Sequence, residues 1–181
     1  GFIWGKLFNR EFLIRNNLLL NDNLTAAEDA EFMLRTAFYA DRVSFVAKSL
    51  YNYLHNTVSA VRSFRTDYVE RYRKSLSVMY DFLVDNGLSK HLVTYDNCVL
   101  YHLLLIVVNY SFNSAREDTK KEQTAAFKKL VKDPFFANAM KSLRLKDFSM
   151  TRKITLIFIK LKMYRMVRLI ALFRQKQTGK A

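Results

Sequence analysis

The chain has 181 residues, half of them hydrophobic, and a formal net charge of +14. Such length and apolar content suit one sizeable core, or part of a larger domain with an appendage, and exclude a disordered polymer. The single cysteine, Cys98, excludes an internal disulfide framework and fits a reducing, cytoplasmic setting.

The opening GFIWGKLF reads as aromatic-rich folded sequence without a leader pattern, so we expect the natural N-terminus to lie upstream of Gly1. NREFLIRNN then predicts a short helix, and Asp29 to Ala40 a longer one. RVSFVAKSLYNYLH, rich in β-branched and aromatic residues, predicts two short strands around Ala47 and Lys48. The expected class is therefore an α/β fragment that is predominantly helical.

From Asp67 onward the spacing predicts helices only: 67 to 85, closed by Asn86 and Gly87, then 89 to 113, 118 to 132, 135 to 143 and 150 to 175. CVLYHLLLIVVNY within the second of these falls short of the roughly 20 apolar residues of a bilayer span, and predicts a buried helix in which His102 is a hydrogen-bonded core residue. His91 and His102 lack carboxylate or thiolate companions at ligand spacing, so no metal site is expected on them. Three zones result: 1 to 65, 66 to 147 and 148 to 181.

Charge separates the last zone from the others. Residues 148 to 181 hold nine basic and no acidic side chains. At helical spacing Leu156, Ile159, Met163, Met166, Ile170 and Phe173 form one apolar stripe, with Lys160, Lys162, Arg165 and Arg168 outside it. This pattern predicts a basic amphipathic helix that either packs internally or meets an anionic membrane surface through 150 to 176. Nucleic acid is the less expected partner, because the charge flanks a long apolar stripe and not a turn-helix motif.

The chemistry-bearing stretch is TAAEDAEF. Thr25 and Glu28 fit the S/T-x-x-E capping box, and Asp29 in the same first turn gains from the helix dipole. A carboxylate so placed can simply cap, or it can be a rigid general base that reaches within about 3 Å of a substrate proton. The two roles are compatible, with Glu28 capping and Asp29 acting.

The order WGKLFNR, then EDAEF, then RVSFVAKSLYNYLHNTVSAV resembles the later half of the catalytic domain of family 2 glycosyltransferases, which are inverting enzymes of the GT-A type. Trp4, Lys6, Leu7, Phe8, Glu28, Asp29, Phe32, Tyr51, Tyr53 and Ser59 carry the resemblance. It implies that 1 to 65 is the acceptor-side end of a GT-A domain, followed by a helical extension over 66 to 147 and the basic amphipathic segment. It also implies that Asp29 deprotonates an acceptor hydroxyl, with Glu28 supporting it, and makes Trp4, Lys6 and Tyr53 candidates to bind substrate; His55 could stand in for a family arginine there, while packing for Trp4, solvation for Lys6 and a structural role for His55 are the alternatives.

Two positions depart from the family pattern. Ala27 stands where relatives carry an aromatic or glycine, and Leu54 and His55 stand where they often carry arginine. The implied activity is transfer of a sugar from a nucleotide-sugar donor to a saccharide or lipid-linked acceptor in cell-surface polysaccharide synthesis, at the inner face of the cell membrane. A divalent cation, Mg or Mn, is implied for the whole enzyme, with its ligands outside this chain. Since the nucleotide-binding half should precede Gly1, residues 1 to 181 are expected to be inactive alone. The alternative is a noncatalytic helical interaction module that binds membrane or nucleic acid.

Overall fold

A computed structural model describes residues 2 to 52 and 64 to 177. It is predominantly helical, with eight α-helices among the described residues. They are α1 (Arg10–Arg15), α2 (Glu28–Tyr39), α3 (Tyr68–Asp85), α4 (Leu92–Ile106), α5 (Lys120–Lys132), α6 (Pro134–Lys141), α7 (Met150–Lys160) and α8 (Tyr164–Gln177). Two compact units emerge: Gly1–Asn56 with Glu70–Phe82, and Thr57–Val69 with Leu83–Ala181.

Among the described residues the expected strands do not form. Residues 42 to 52 make no ladder, and Val43 and Phe45 are 89 % and 90 % exposed. Residues 53 to 55 lie outside the described residues. β-branched and aromatic side chains suit a pleated surface, but a strand exists only where a second backbone satisfies its amides and carbonyls. None of the described segments supplies one, so the α/β expectation reduces to a helical class.

In the first unit, Asn9 caps α1 by accepting from the Phe12 amide at 2.9 Å. Leu18, Leu24 and Phe32 are buried, as are Tyr72, Leu76 and Met79 on α3. Phe8 meets Phe32 edge to face at 5.6 Å, and Phe38 meets Phe82 likewise at 5.4 Å.

The second unit is organised on α4. Val99, Leu100, Leu103 and Ile106 are buried, and the apolar residues extend around more than one side of the helix, which suits a central position. Ser89 to Ser111 is long and apolar enough to cross a membrane by length and composition alone. Here α6 and α7 pack on α4, so protein covers much of that surface.

The last turn of this helix widens into a π-segment, Val107–Ser111. Such a bulge frees carbonyls from the helical ladder. Gln175 of α8 takes them up: its Nε2 donates to the carbonyls of Val108 at 2.7 Å and Phe112 at 2.9 Å, and its Oε1 accepts from the Ser114 amide at 3.1 Å. A polar residue of the basic segment thus ties α8 into the core.

That segment is not one helix. Lys162 adopts the left-handed region at φ 58°, and the Met163 amide donates back to the Phe158 carbonyl at 2.8 Å, ending α7 before α8 begins. The single stripe expected over 150 to 175 is accordingly divided. Leu156 and Ile159 are buried, whereas Met163, Met166 and Phe173 are exposed.

Candidate functional site

The candidate site lies at the start of α2. Glu28 is its first helical residue and Asp29 its second, and both are half-buried. Asp29 Oδ2 accepts a long hydrogen bond, 3.4 Å, from the Ile3 amide. This contact joins the carboxylate to the N-terminal turn, where Gly5 at φ 72° supplies a conformation that side-chain-bearing residues rarely adopt.

The same turn carries Trp4. Its ring stacks on Phe2 at 4.8 Å and on Tyr51 at 5.6 Å, giving a run of three aromatic rings. All three remain substantially open to solvent, at 42 % for Trp4, 53 % for Phe2 and 52 % for Tyr51. Lys6 donates from Nζ to the Phe2 carbonyl, so its ammonium folds back onto this turn. The structure therefore brings Asp29, Trp4 and Lys6 into one neighbourhood, while Tyr53, His55 and Ser59 lie outside the described residues.

The expected capping box at Thr25 is absent. The N-cap position is Ala27, left-handed at φ 55°, and no side chain caps the helix. The Thr25 hydroxyl instead accepts from Arg71 Nε at 2.6 Å, and the Thr25 carbonyl accepts from the same guanidinium. Ser75, one turn further along α3, donates its hydroxyl to the Ala26 carbonyl. Glu28 consequently contributes through the helix dipole and not through a reciprocal cap.

Arg71 and Ser75 are the residues that sequence reasoning missed. They lie in a helix with no visible tie to TAAED, and only their i, i+4 spacing places them on one side of α3. Tyr51 was legible as part of the aromatic pattern but had no assigned partner. Glu31, the third acid of the first turn, is buried and held by Arg35 at 2.6 Å and 2.9 Å, and Arg35 also donates to the Leu19 carbonyl at 2.6 Å. That pairing commits Glu31 to structure.

Among the described residues no three histidine, cysteine, aspartate or glutamate side chains converge as metal ligands. Compared with protein-family models, curated proteins and solved structures, the chain matches none.

Proposed function

We propose that this chain is the acceptor-side part of an inverting glycosyltransferase that moves a sugar from a nucleotide-sugar donor to a saccharide or lipid-linked acceptor. One observation carries the reading: a half-buried carboxylate, Asp29, is tied by the Ile3 amide to the turn that displays an exposed stack of aromatic rings. Sugar rings present C–H faces that pack on aromatic surfaces, so Trp4 and Tyr51 would seat the acceptor and Asp29 would meet its hydroxyl.

In the reaction, Asp29 takes the hydroxyl proton while the acceptor oxygen attacks the anomeric carbon. The new C–O bond forms as the bond to the diphosphate breaks, the nucleoside diphosphate leaves with the electron pair, and configuration inverts. A single carboxylate suffices, in contrast to the carboxyl pair of glycosidases. The donor and any divalent cation would be held by residues other than those described here.

In this reading Lys6, Tyr53 and His55 contact substrate, and the enzyme works peripherally at the inner face of the cell membrane. The test is sugar transfer by the full natural protein with Asp29→Asn, which the proposal requires to fall by orders of magnitude. A second reading, a noncatalytic helical interaction module, is favoured by the uncovered apolar face of α8 and makes Asp29→Asn silent.

A further inference from the structure

Helices α7 and α8 are each apolar on two opposite sides. At about 100° per residue, Val167, Ala171 and Gln175 mark the side of α8 that is buried against the core. Met166, Leu169 and Phe173 occupy the opposite side, and Leu169 and Phe173 are 59 % and 62 % exposed. Helix α7 repeats the arrangement, with Thr155, Leu156 and Ile159 inward and Met150 and Ile154 outward. The turn between them adds Leu161 and Met163, both exposed.

An ordinary solvent-facing side would be polar. Here exposed cations flank the apolar residues: Lys160 and Lys162 at the turn, and Arg165 and Lys176 on α8. No acidic residue occurs anywhere in 148 to 181. An uncovered apolar strip edged by charge of one sign has to be matched by something both apolar and anionic.

We infer that the outward face of α7, α8 and their turn docks on a bilayer rich in anionic phospholipid. Leu161, Met163, Met166, Leu169 and Phe173 enter the boundary between headgroups and acyl chains, and the flanking cations meet lipid phosphates. A second copy of this chain is the wrong occupant, because self-docking would set the flanking Lys160, Lys162, Arg165 and Lys176 against the same four cations. Nucleic acid would use the cations but leave the apolar strip in water. This inference rests on α7 and α8 alone, so it stands or falls separately from the role of Asp29.

The experiment is co-sedimentation of the 181-residue chain with vesicles of phosphatidylcholine alone, or with roughly one-third phosphatidylglycerol. Expected is at least about tenfold stronger partitioning onto the anionic vesicles. Leu169→Ser with Phe173→Ser should lower that binding by at least about tenfold. Lys160→Gln, Lys162→Gln and Arg165→Gln together should lower it by about fivefold per cation removed. These side chains point away from the core, so circular dichroism should match the parent for both variants.

Equal binding to the two vesicle types would overturn the inference. So would wild-type binding by the apolar variant. A dimer in sedimentation that the apolar variant abolishes, with no vesicle binding, would assign the face to self-association instead.

Discussion

The Arg71 guanidinium holds Thr25 twice, donating to its hydroxyl at 2.6 Å and also to its carbonyl. One side chain on α3 thereby fixes the backbone four residues ahead of Asp29, and Ser75 adds a bond to the next carbonyl. The geometry of the carboxylate is set from a helix distant in sequence, not by a local cap.

Arg71→Ala should therefore loosen the start of α2. We expect a loss of about 0.5–1.5 kcal/mol in urea unfolding, the net range for a typical hydrogen bond, since both contacts are exposed to solvent. Arg71→Lys should recover only part, since an ammonium lacks the fork that reaches both acceptors. If Asp29 is the base, as proposed, Arg71→Ala in the full natural protein should lower turnover more than it raises KM, because it displaces that carboxylate and not the binding surface.

The pattern Thr-x-x-Glu occurs twice with opposite outcomes, which marks the limit of what the sequence disclosed. At Thr119 and Glu122 the capping box is complete: the Thr119 hydroxyl accepts from the Glu122 amide, and the Glu122 carboxylate accepts from the Thr119 amide. At Thr25 and Glu28 it is not, because Arg71 claims the hydroxyl and Ala27 turns left-handed. Local spacing identifies the option, and long-range partners decide whether it is used.

Elsewhere the helices follow their punctuation closely. Gly87 at φ 66° closes α3 where Asn86 and Gly87 predicted a stop, and Asp133 caps α6 with Pro134 in its first turn. The break at Lys162 carries no glycine or proline and was invisible for that reason. Of the candidate site, the carboxylates and Trp4 were legible as residue types in order. The tie from Ile3 to Asp29 and the ring stack depend on tertiary folding and could not be read.

Trp4 is the only tryptophan in the chain, so its emission reports the ring stack directly. Titration with hexose and N-acetylhexosamine disaccharides should quench or shift it in a saturable way. Tyr51→Ala should weaken that response about threefold to tenfold, the scale of one aromatic contact. An unchanged emission across the panel would count against an acceptor platform at Trp4.

Gln175 couples the basic segment to the core, and its loss should be costly. Gln175→Ala leaves the carbonyls of Val108 and Phe112 and the Ser114 amide without this partner. A destabilisation of about 2–4 kcal/mol is expected from buried groups left unsatisfied. Thermal or urea unfolding would measure it, and a change under about 0.5 kcal/mol would contradict this role for Gln175.

Stability should depend on pH through His102. Burial pushes its pKa down, opposed by the hydrogen bond of Nδ1 to the Cys98 carbonyl at 2.8 Å. The unfolded chain therefore takes up a proton below about pH 6.5 that the folded chain declines. The stability conferred by the neutral imidazole is complete above that pH and is lost progressively as pH falls toward the folded pKa. His102→Leu should flatten this part of the Tm profile between roughly pH 7 and 5, and an unaltered slope would assign the effect to other groups.

The most direct measurement of the central claim is nucleoside diphosphate release by the full natural protein, assayed with UDP-, GDP- and dTDP-sugars and a membrane extract as the acceptor source. Asp29→Asn can still accept from the Ile3 amide but cannot take a proton, so the rate should fall by about 10²–10⁴, while Glu28→Gln stays within about threefold. Release by Asp29→Asn at the wild-type rate would contradict the assignment of Asp29 as the base, and an absence of release by the parent protein with every donor would leave the chain as an interaction module.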